Sequence, residues 1–173
     1  MNEEETVNPR RLARTVALQA LYEIDSVQHP PERVLQYLLE ENPLSEDAVR
    51  FLRWLVYGVL RTRPVLDAYI QKYAPEWPLE QIACVDRNIL RLSLYEFTVG
   101  QTPIKVAISE AVELAKLFGS DSTPRFVNGV LGSLAQIRDE IALRVRAHGK
   151  SSRSRSGKEE NGPTSHHYGR RRA

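Results

Sequence analysis

An all-α fold is the class this sequence predicts, and three observations carry it. Apolar residues recur three and four positions apart, with no stretch of strict apolar–polar alternation flanked by hairpin turns. Nearly all of the ten prolines fall where a helix would start or stop. The connections between periodic segments are short, which favours antiparallel neighbours packed as bundles. The expected architecture is two helical subdomains or bundles of about seven helices, followed by a disordered basic C-terminal tail. The helical unit is placed at residues 1–147, with subdomains at about 9–75 and 76–147, and the tail at 148–173.

Each element has a local reason. Asn8-Pro9 reads as an N-cap with proline at the first helical position, opening a helix over about 9–28. Pro30-Pro31 opens a second over 31–41, and Ser45 caps a third over 46–61. Pro64 is read as a break, so that 64–73 forms a separate helix. A short turn near 79–83, after Pro75 and Pro78, leads into a helix over 86–99, and Pro103 precedes another over 105–118. Thr123-Pro124 repeats the cap-and-proline signal and opens a helix over 124–146, where Val127, Val130, Leu134, Ile137 and Ile141 recur at heptad-like spacing. Gly129 and Gly132 each cost about 1 kcal/mol of helix propensity, which predicts a close helix crossing there. No internal repeat of fixed period is present. Residues 148–173 are rich in serine, glycine and charge, with Tyr168 and Ala173 as their apolar residues, and are expected to be disordered.

The chain has 173 residues, 42% hydrophobic and 27% charged, enough to bury a real core. Cys84 is its one cysteine, so no intramolecular disulfide can form and an oxidising compartment is not indicated. The N-terminal MNEEET is acidic rather than a signal peptide, and no apolar run is long enough for a bilayer. A soluble, cytoplasmic protein is the expectation. The formal net charge of +2 hides an asymmetry: residues 144–173 hold nine Lys/Arg against two Glu, and residues 1–143 hold fifteen against twenty Asp/Glu. An acidic folded part of −5 precedes a basic end of +7, so any nucleic-acid argument rests on where the arginines sit.

Two constellations stand out. In the first helix Ala13, Val16, Ala20 and Ile24 gather on one side at 100° per residue, and Arg11, Arg14 and Tyr22 fall on the other with Leu18 between them. Arginine supplies forked donors for phosphate, and a tyrosine ring supplies a stacking face for an unpaired base. An ordinary solvated basic face with a half-buried tyrosine gives the same pattern. Arg125, Phe126 and Asn128 cluster at the start of the last helix, where a cation, a ring and an amide beside free backbone N–H groups suit a nucleotide. In the 86–99 segment Asp86 suits the helix dipole, while Arg87, Arg91 and Tyr95 form a ladder four residues apart, equally consistent with intrahelical pairing. Glu110 and Glu113 are read as outward-facing. There is no phosphate loop, dinucleotide fingerprint, HExxH, CxxC or nucleophile elbow, and His29, His148, His166 and His167 have no plausible ligand set. No catalytic residue, cofactor or metal is expected.

Four ordered motifs carry a family likeness: Arg11-Leu-Ala-Arg14-x-x-Ala17-Leu-Gln-Ala-Leu-Tyr22, Asp86-Arg-Asn-Ile-Leu-Arg91-Leu-x-Leu-Tyr-Glu96, Val106-Ala-Ile-x-Glu110-Ala-Val-Glu-Leu-Ala-Lys116-x-Phe-Gly119 and Phe126-Val-Asn-Gly-Val-Leu131. Together they make about residues 9–141 resemble the NusB family. The resemblance implies a non-enzymatic, all-helical protein that binds boxA RNA as a heterodimer with the small-subunit ribosomal protein NusE. It further implies a role in processive transcription antitermination of ribosomal RNA operons, with other Nus factors on RNA polymerase. By position it favours Arg10, Arg11, Arg14, Tyr22, Arg125 and Phe126 for RNA, and Asp86, Arg87, Arg91 and Lys116 as surface for RNA or the ribosomal partner. The acidic balance of the fold makes residues such as Asp86, Glu110 and Glu113 a candidate surface for that basic partner. The N-terminal arm, with Glu3, Glu4 and Glu5 before its arginines, is less basic than is typical of the family, and the charged tail lies outside the shared pattern. The tail is read as a source of long-range attraction to RNA, with the first helix supplying specificity. Two other classes remain open at this point. One is the helical RNA-binding portion of an RNA cytosine-5 methyltransferase, which needs a cofactor domain absent from this sequence; the other is a protein scaffold without an RNA role.

Overall fold

A computed structural model describes residues 8–156 except 77, with side chains as far as residue 151. Among them are seven α-helices and one 3-10 turn at Leu79–Gln81, with no strand. The helices are α1 (Pro9–Val27), α2 (Pro31–Glu41), α3 (Glu46–Tyr73), α4 (Cys84–Val99), α5 (Ile104–Phe118), α6 (Thr123–Ala135) and α7 (Arg138–Ser156). The Asn8 side chain accepts a hydrogen bond from the Arg10 N–H at 3.0 Å, and Pro9 occupies the first turn, as the cap-and-proline signal indicates. Ser45 caps α3 through the Ala48 N–H. Gln28 closes α1 in the left-handed conformation.

Two boundaries differ from the sequence reading. Pro64 does not divide α3, which runs unbroken for 28 residues. An internal proline removes one backbone hydrogen bond and costs about 3 kcal/mol. Burial on both sides outweighs that cost: Leu55, Val56 and Val59 before it, and Leu66 and Ile70 after it, are all sealed from solvent. In turn, the segment read as one helix over 124–146 is two. The Gln136 and Ile137 N–H groups bond back to Ser133 and Leu134 in a tightened last turn, and α7 restarts at Arg138, whose Nε donates to the Phe97 carbonyl at 3.0 Å. A basic side chain thereby satisfies a carbonyl near the C-terminus of α4. α7 continues to Ser156, well into the stretch expected to be tail; residues 157–173, and the acidic residues 1–7, lie outside the described residues.

α4 sits at the centre and contacts α1, α3, α5, α6 and α7. All of residues 88–98 are buried, and one hydrophobic cluster runs continuously from α1 to α7. Ion pairs give the relative directions. Arg14 and Asp25 of α1 meet Glu96 and Arg91 of α4, so these two helices are antiparallel. Asp25 also meets Arg63 of α3, while Arg10 lies over Phe51, so α1 and α3 run in the same direction.

The glycine of closest approach is not one of those that propensity points to. A Cβ built on Gly129 or Gly132 meets nothing within 4 Å, and both residues are exposed, so no helix crosses there. At Gly58 a Cβ would lie 2.1 Å from the ring of Tyr95, which packs directly on the α3 backbone. The two sites therefore respond to alanine with opposite signs. Gly58→Ala is expected to destabilise the fold by about 1–3 kcal/mol through overpacking. Gly129→Ala is expected to stabilise it by about 0.5–1 kcal/mol through helix propensity. Urea unfolding of both variants checks this, and equal effects would contradict the packing of Tyr95 on α3.

Candidate nucleic-acid interface

Burial divides the cations that the sequence motifs point to. Arg10 and Arg11, at the N-terminus of α1, are exposed. The Arg10 guanidinium lies 4.5 Å from the centre of the Phe51 ring, a cation–π contact that fixes its direction. Phe51 in turn stacks on Trp54 at 5.9 Å. Arg11 forks onto Glu110 of α5, with Nε and Nη2 donating at 3.1 and 2.9 Å, and its side chain remains 57% exposed. These are two pre-aimed cations on a rigid helix end. Cations at a helix N-terminus oppose the helix dipole, and Glu110, within reach of both Arg11 and Arg14, offsets that conflict.

Arg14 is a correction. The helical wheel places it beside Arg11 and Tyr22 on an outward face, but it is buried, as is Leu18 between them. Its Nη2 donates to Glu96 Oε1 at 2.6 Å and its Nε reaches the same carboxylate at 3.0 Å. Thr102 also donates to Glu96 at 2.9 Å. Arg14 is thus the counter-ion of a carboxylate that α4 carries into the core, and it is not available to RNA.

Arg91 is buried in the same way, and the half-buried Arg87 is tied to the same carboxylate. Asp25 accepts from Arg87 Nε at 2.7 Å, from Arg91 Nη1 at 2.9 Å, from Asn88 at 2.9 Å and, through its other oxygen, from Arg63 at 3.0 Å. Arg91 also forks onto Asp67 at 2.7 and 3.0 Å. Burial pushes the Asp25 carboxyl up, but the hydrogen bonds from Arg87 and Asn88 and the charges of Arg91 and Arg63 outweigh it and hold the group well below its ordinary value of 3.8. Burial, together with Asp25 itself, raises the thiol of Cys84, whose sulfur lies 3.5 Å from that carboxylate. The sequence does not point to Asp25 or Asp67; no local pattern flags a carboxylate whose partners lie tens of residues away.

The residues assigned to a protein partner are also partly spoken for. Asp86 accepts from the buried Thr123 hydroxyl at 2.9 Å, and burial raises its carboxyl despite that bond. Thr123 therefore serves Asp86 and the Ser120 N–H rather than capping α6. Glu110 is committed to Arg11 and Arg14, which leaves Glu113, paired with the exposed Lys116 at 3.2 Å, facing solvent. Arg125 and Asn128 are exposed, and Phe126 lines a cavity of about 370 Å³ with Tyr73, Ile82, Gly129 and Val130. This cluster sits at the Tyr73 end of α3 and Arg10 at its Phe51 end, separated by about 33 Å along the helix axis. Tyr22, 44% exposed, belongs to neither. It lines an apolar groove of about 600 Å³ with Val27 of α1, Tyr37 and Leu38 of α2, Val85 of α4 and Phe118 of α5, edged by Glu23 and Glu41. No helix of the described residues is long and apolar enough to cross a membrane.

Comparison with known proteins agrees on one family. A family model described as "NusB family" matches residues 11–136. The chain is 48% identical over 134 residues to a transcription antitermination protein NusB of Dehalococcoides mccartyi, covering 77% of this chain and 94% of that one. It is 47% identical over 128 residues to a protein of the same description from a Roseiflexus species, covering 72% and 90%. Among solved structures, NusB of T. maritima superposes with a TM-score of 0.70 at 33% identity, covering 75% of this chain and 92% of that chain. A structure of antitermination factors NusB and NusE in complex with dsRNA superposes with a TM-score of 0.68 at 28% identity, covering 75% and 97%.

Two stability measurements separate the buried cations from the exposed ones. Removing one member of a buried ion pair costs about 3–5 kcal/mol, so Arg14→Ala is expected to lose that much in urea unfolding while Arg10→Ala loses less than about 1 kcal/mol. Because the folded Asp25 carboxyl titrates below its unfolded value, its contribution is complete above about pH 4 and lost as pH falls below that. Stability of the parent chain should therefore drop between about pH 4 and pH 2, and Asp25→Asn should flatten that limb. An acid limb that persists unchanged in Asp25→Asn would mean that another carboxylate is responsible for it.

Proposed function

The chain belongs to the NusB family of transcription antitermination proteins, and we propose that it binds boxA RNA together with the small-subunit ribosomal protein NusE to support processive transcription of ribosomal RNA operons. In this reading it works in the cytoplasm with other Nus factors on RNA polymerase, and it acts by binding rather than by catalysis. Residues 1–147 are the RNA-binding unit, with α1–α3 and the helices from α4 onward as its two halves.

The observation that carries the proposal is the open end of α1. Arg10 and Arg11 are the two cations at the first motif that keep solvent exposure, and each is aimed by a neighbour, Phe51 or Glu110. Pre-aimed guanidinium groups bind phosphate with little further ordering. Likeness to the NusB–NusE–dsRNA structure supports RNA as the ligand and NusE as the companion. Arg125, Phe126 and Asn128 supply a second contact at the far end of α3, where a strand or duplex long enough to span the fold reaches both. Lys116 adds charge along α5. Arg14, Arg87 and Arg91 act indirectly, by holding α1 against α4.

The apolar groove around Tyr22 suits the protein partner. It combines exposed Tyr22, Val27 and Phe118 with the acidic edge of Glu23 and Glu41, a fit for a basic protein carrying an apolar anchor.

Binding of boxA RNA, measured by fluorescence anisotropy with and without NusE, tests the reading. Weak binding alone and tighter binding with NusE are expected. Arg10→Ala/Arg11→Ala should lower the slope of log affinity against log salt by about 0.7 for each phosphate no longer neutralised, without moving the thermal midpoint by more than a few degrees. Tyr22→Ala should weaken the NusE-dependent gain and leave binding of RNA alone near its starting value. No protection of any RNA at low salt would leave a protein scaffold as the better description.

A further inference from the structure

A second cationic site lies away from the α1 end, in the cleft between α3 and α7. It is a cavity of about 170 Å³ whose lining includes Arg61 and Thr62 of α3, Tyr95 of α4, and Arg146, Gly149 and Lys150 of α7. Three of its lining residues are cations and none is a carboxylate. The Nε of Arg61 is buried and has no hydrogen-bond partner among the described residues. A buried guanidinium N–H without an acceptor is costly, and the contrast inside this protein is direct. Arg61 as a whole is half-buried, whereas Arg14 and Arg91 are fully buried and each meets a carboxylate within 3.0 Å. The ion pairs of the described residues include neither Arg61 nor Arg146 nor Lys150. The lining of the cleft is thus cationic, with no carboxylate of the chain to balance it.

Its position says which acceptor. Phe51, Trp54, Gly58 and Arg61 follow at spacings of three, four and three, so they share one face of α3. Arg10 lies over Phe51, Phe51 stacks on Trp54, and Trp54 contacts Tyr95 at 4.9 Å, which itself lines the cleft. From Phe51 to Arg61 is about 15 Å along the helix. The half-buried Trp54 ring lies between the two cationic ends, as a stacking platform would. We propose that the α3–α7 cleft is a phosphate pocket that takes a backbone phosphodiester of the bound RNA, continuing the path that starts at Arg10. The pocket rests on the RNA-binding function proposed for this chain and adds a site to it. Two of its three cations stand on α7 beyond residue 136, where the family match ends, so the pocket is an addition carried by this chain's C-terminal helix.

The test uses the full chain, a labelled boxA-containing RNA and a salt series. Arg146→Ala/Lys150→Ala replaces exposed residues and keeps the fold intact, which thermal melting verifies; Arg61→Gln is the second variant. Either is expected to weaken binding roughly tenfold and to lower the salt slope by about 0.7 for the single phosphate released. Arg33→Ala, an exposed arginine of α2 outside the cleft, is the charge control and should leave the slope unchanged. Wild-type affinity and slope in both cleft variants, with the unmodified chain still binding RNA, overturns the pocket alone. An equal loss in Arg33→Ala and in Arg146→Ala/Lys150→Ala also overturns it, because diffuse attraction then accounts for the effect. Absence of RNA binding by the unmodified chain overturns the RNA reading and the pocket with it.

Discussion

Beyond its first turn helix α4 is buried as far as residue 98, and a helix so placed cannot leave the polar groups of that stretch to water. Eleven successive residues, 88–98, are buried, among them Asn88, Arg91 and Glu96. Each must find its partner inside the protein or impose a penalty of several kcal/mol. The rest of the fold arranges itself around that demand. Glu96 draws Arg14 of α1 and Thr102 of the following loop. Arg91 draws Asp25 of α1 and Asp67 of α3. Both ends of α1 are thereby pinned to α4, in opposite directions and by opposite charges. A hydrophobic seam alone tolerates sliding and rotation; two buried ion pairs at separate heights do not. The same pairs set where Arg10 and Arg11 point, because those residues sit one turn ahead of the pinned Arg14.

That demand also explains which parts of the candidate site are legible in the sequence. Local patterns are enough for two helix starts: Asn8-Pro9 and Ser45 cap helices where the sequence places them, because capping joins residues two or three apart, whereas Thr123 is drawn away from its cap by Asp86. Local pattern is insufficient for Pro64, where the outcome depends on burial of Leu66 and Ile70 by other helices. It is also insufficient for Gly129 and Gly132, whose propensity cost has no packing counterpart, and it passes over Gly58, where the Tyr95 ring fills the space of a side chain. In each case the deciding contact is tertiary.

The arginines follow the same division. On a helical wheel Arg11 and Arg14 are near neighbours, three residues apart on a basic face. In the fold one is more than half exposed and the other is sealed beneath Phe51 against Glu96. Nothing in α1 alone distinguishes them, since the difference lies in Glu96, eighty-two residues on. A family motif that contains both arginines therefore mixes two roles, an exposed cation and an internal counter-ion. Arg87 and Arg91 of α4 repeat the lesson, with Asp25 of α1 as their shared partner. The motifs identify the family because the residues that build the fold and those that face outward are interleaved in the same short segments.

The net charge of +2 acquires a spatial meaning once these pairings are removed from the count. Arg14, Arg63, Arg87 and Arg91 share the carboxylates Glu96, Asp25 and Asp67, so three of these four positive charges are offset within the fold. The cations that flank the α3 aromatic face are of the other kind. Arg10 stands at one end of that face, and Arg61, Arg146 and Lys150 gather at the other. The basic end of the sequence is therefore not wholly a tail apart from the fold: α7 carries Arg146 and Lys150 back onto α3, beside Arg61, ten residues from the Phe51 that supports Arg10. A near-neutral protein can hold a polyanion if some of its cations lie along one line, because affinity depends on the phosphates met and not on the total charge. The α3 face supplies that line, and the pinning of α1 to α4 keeps its first cation in register with the rest.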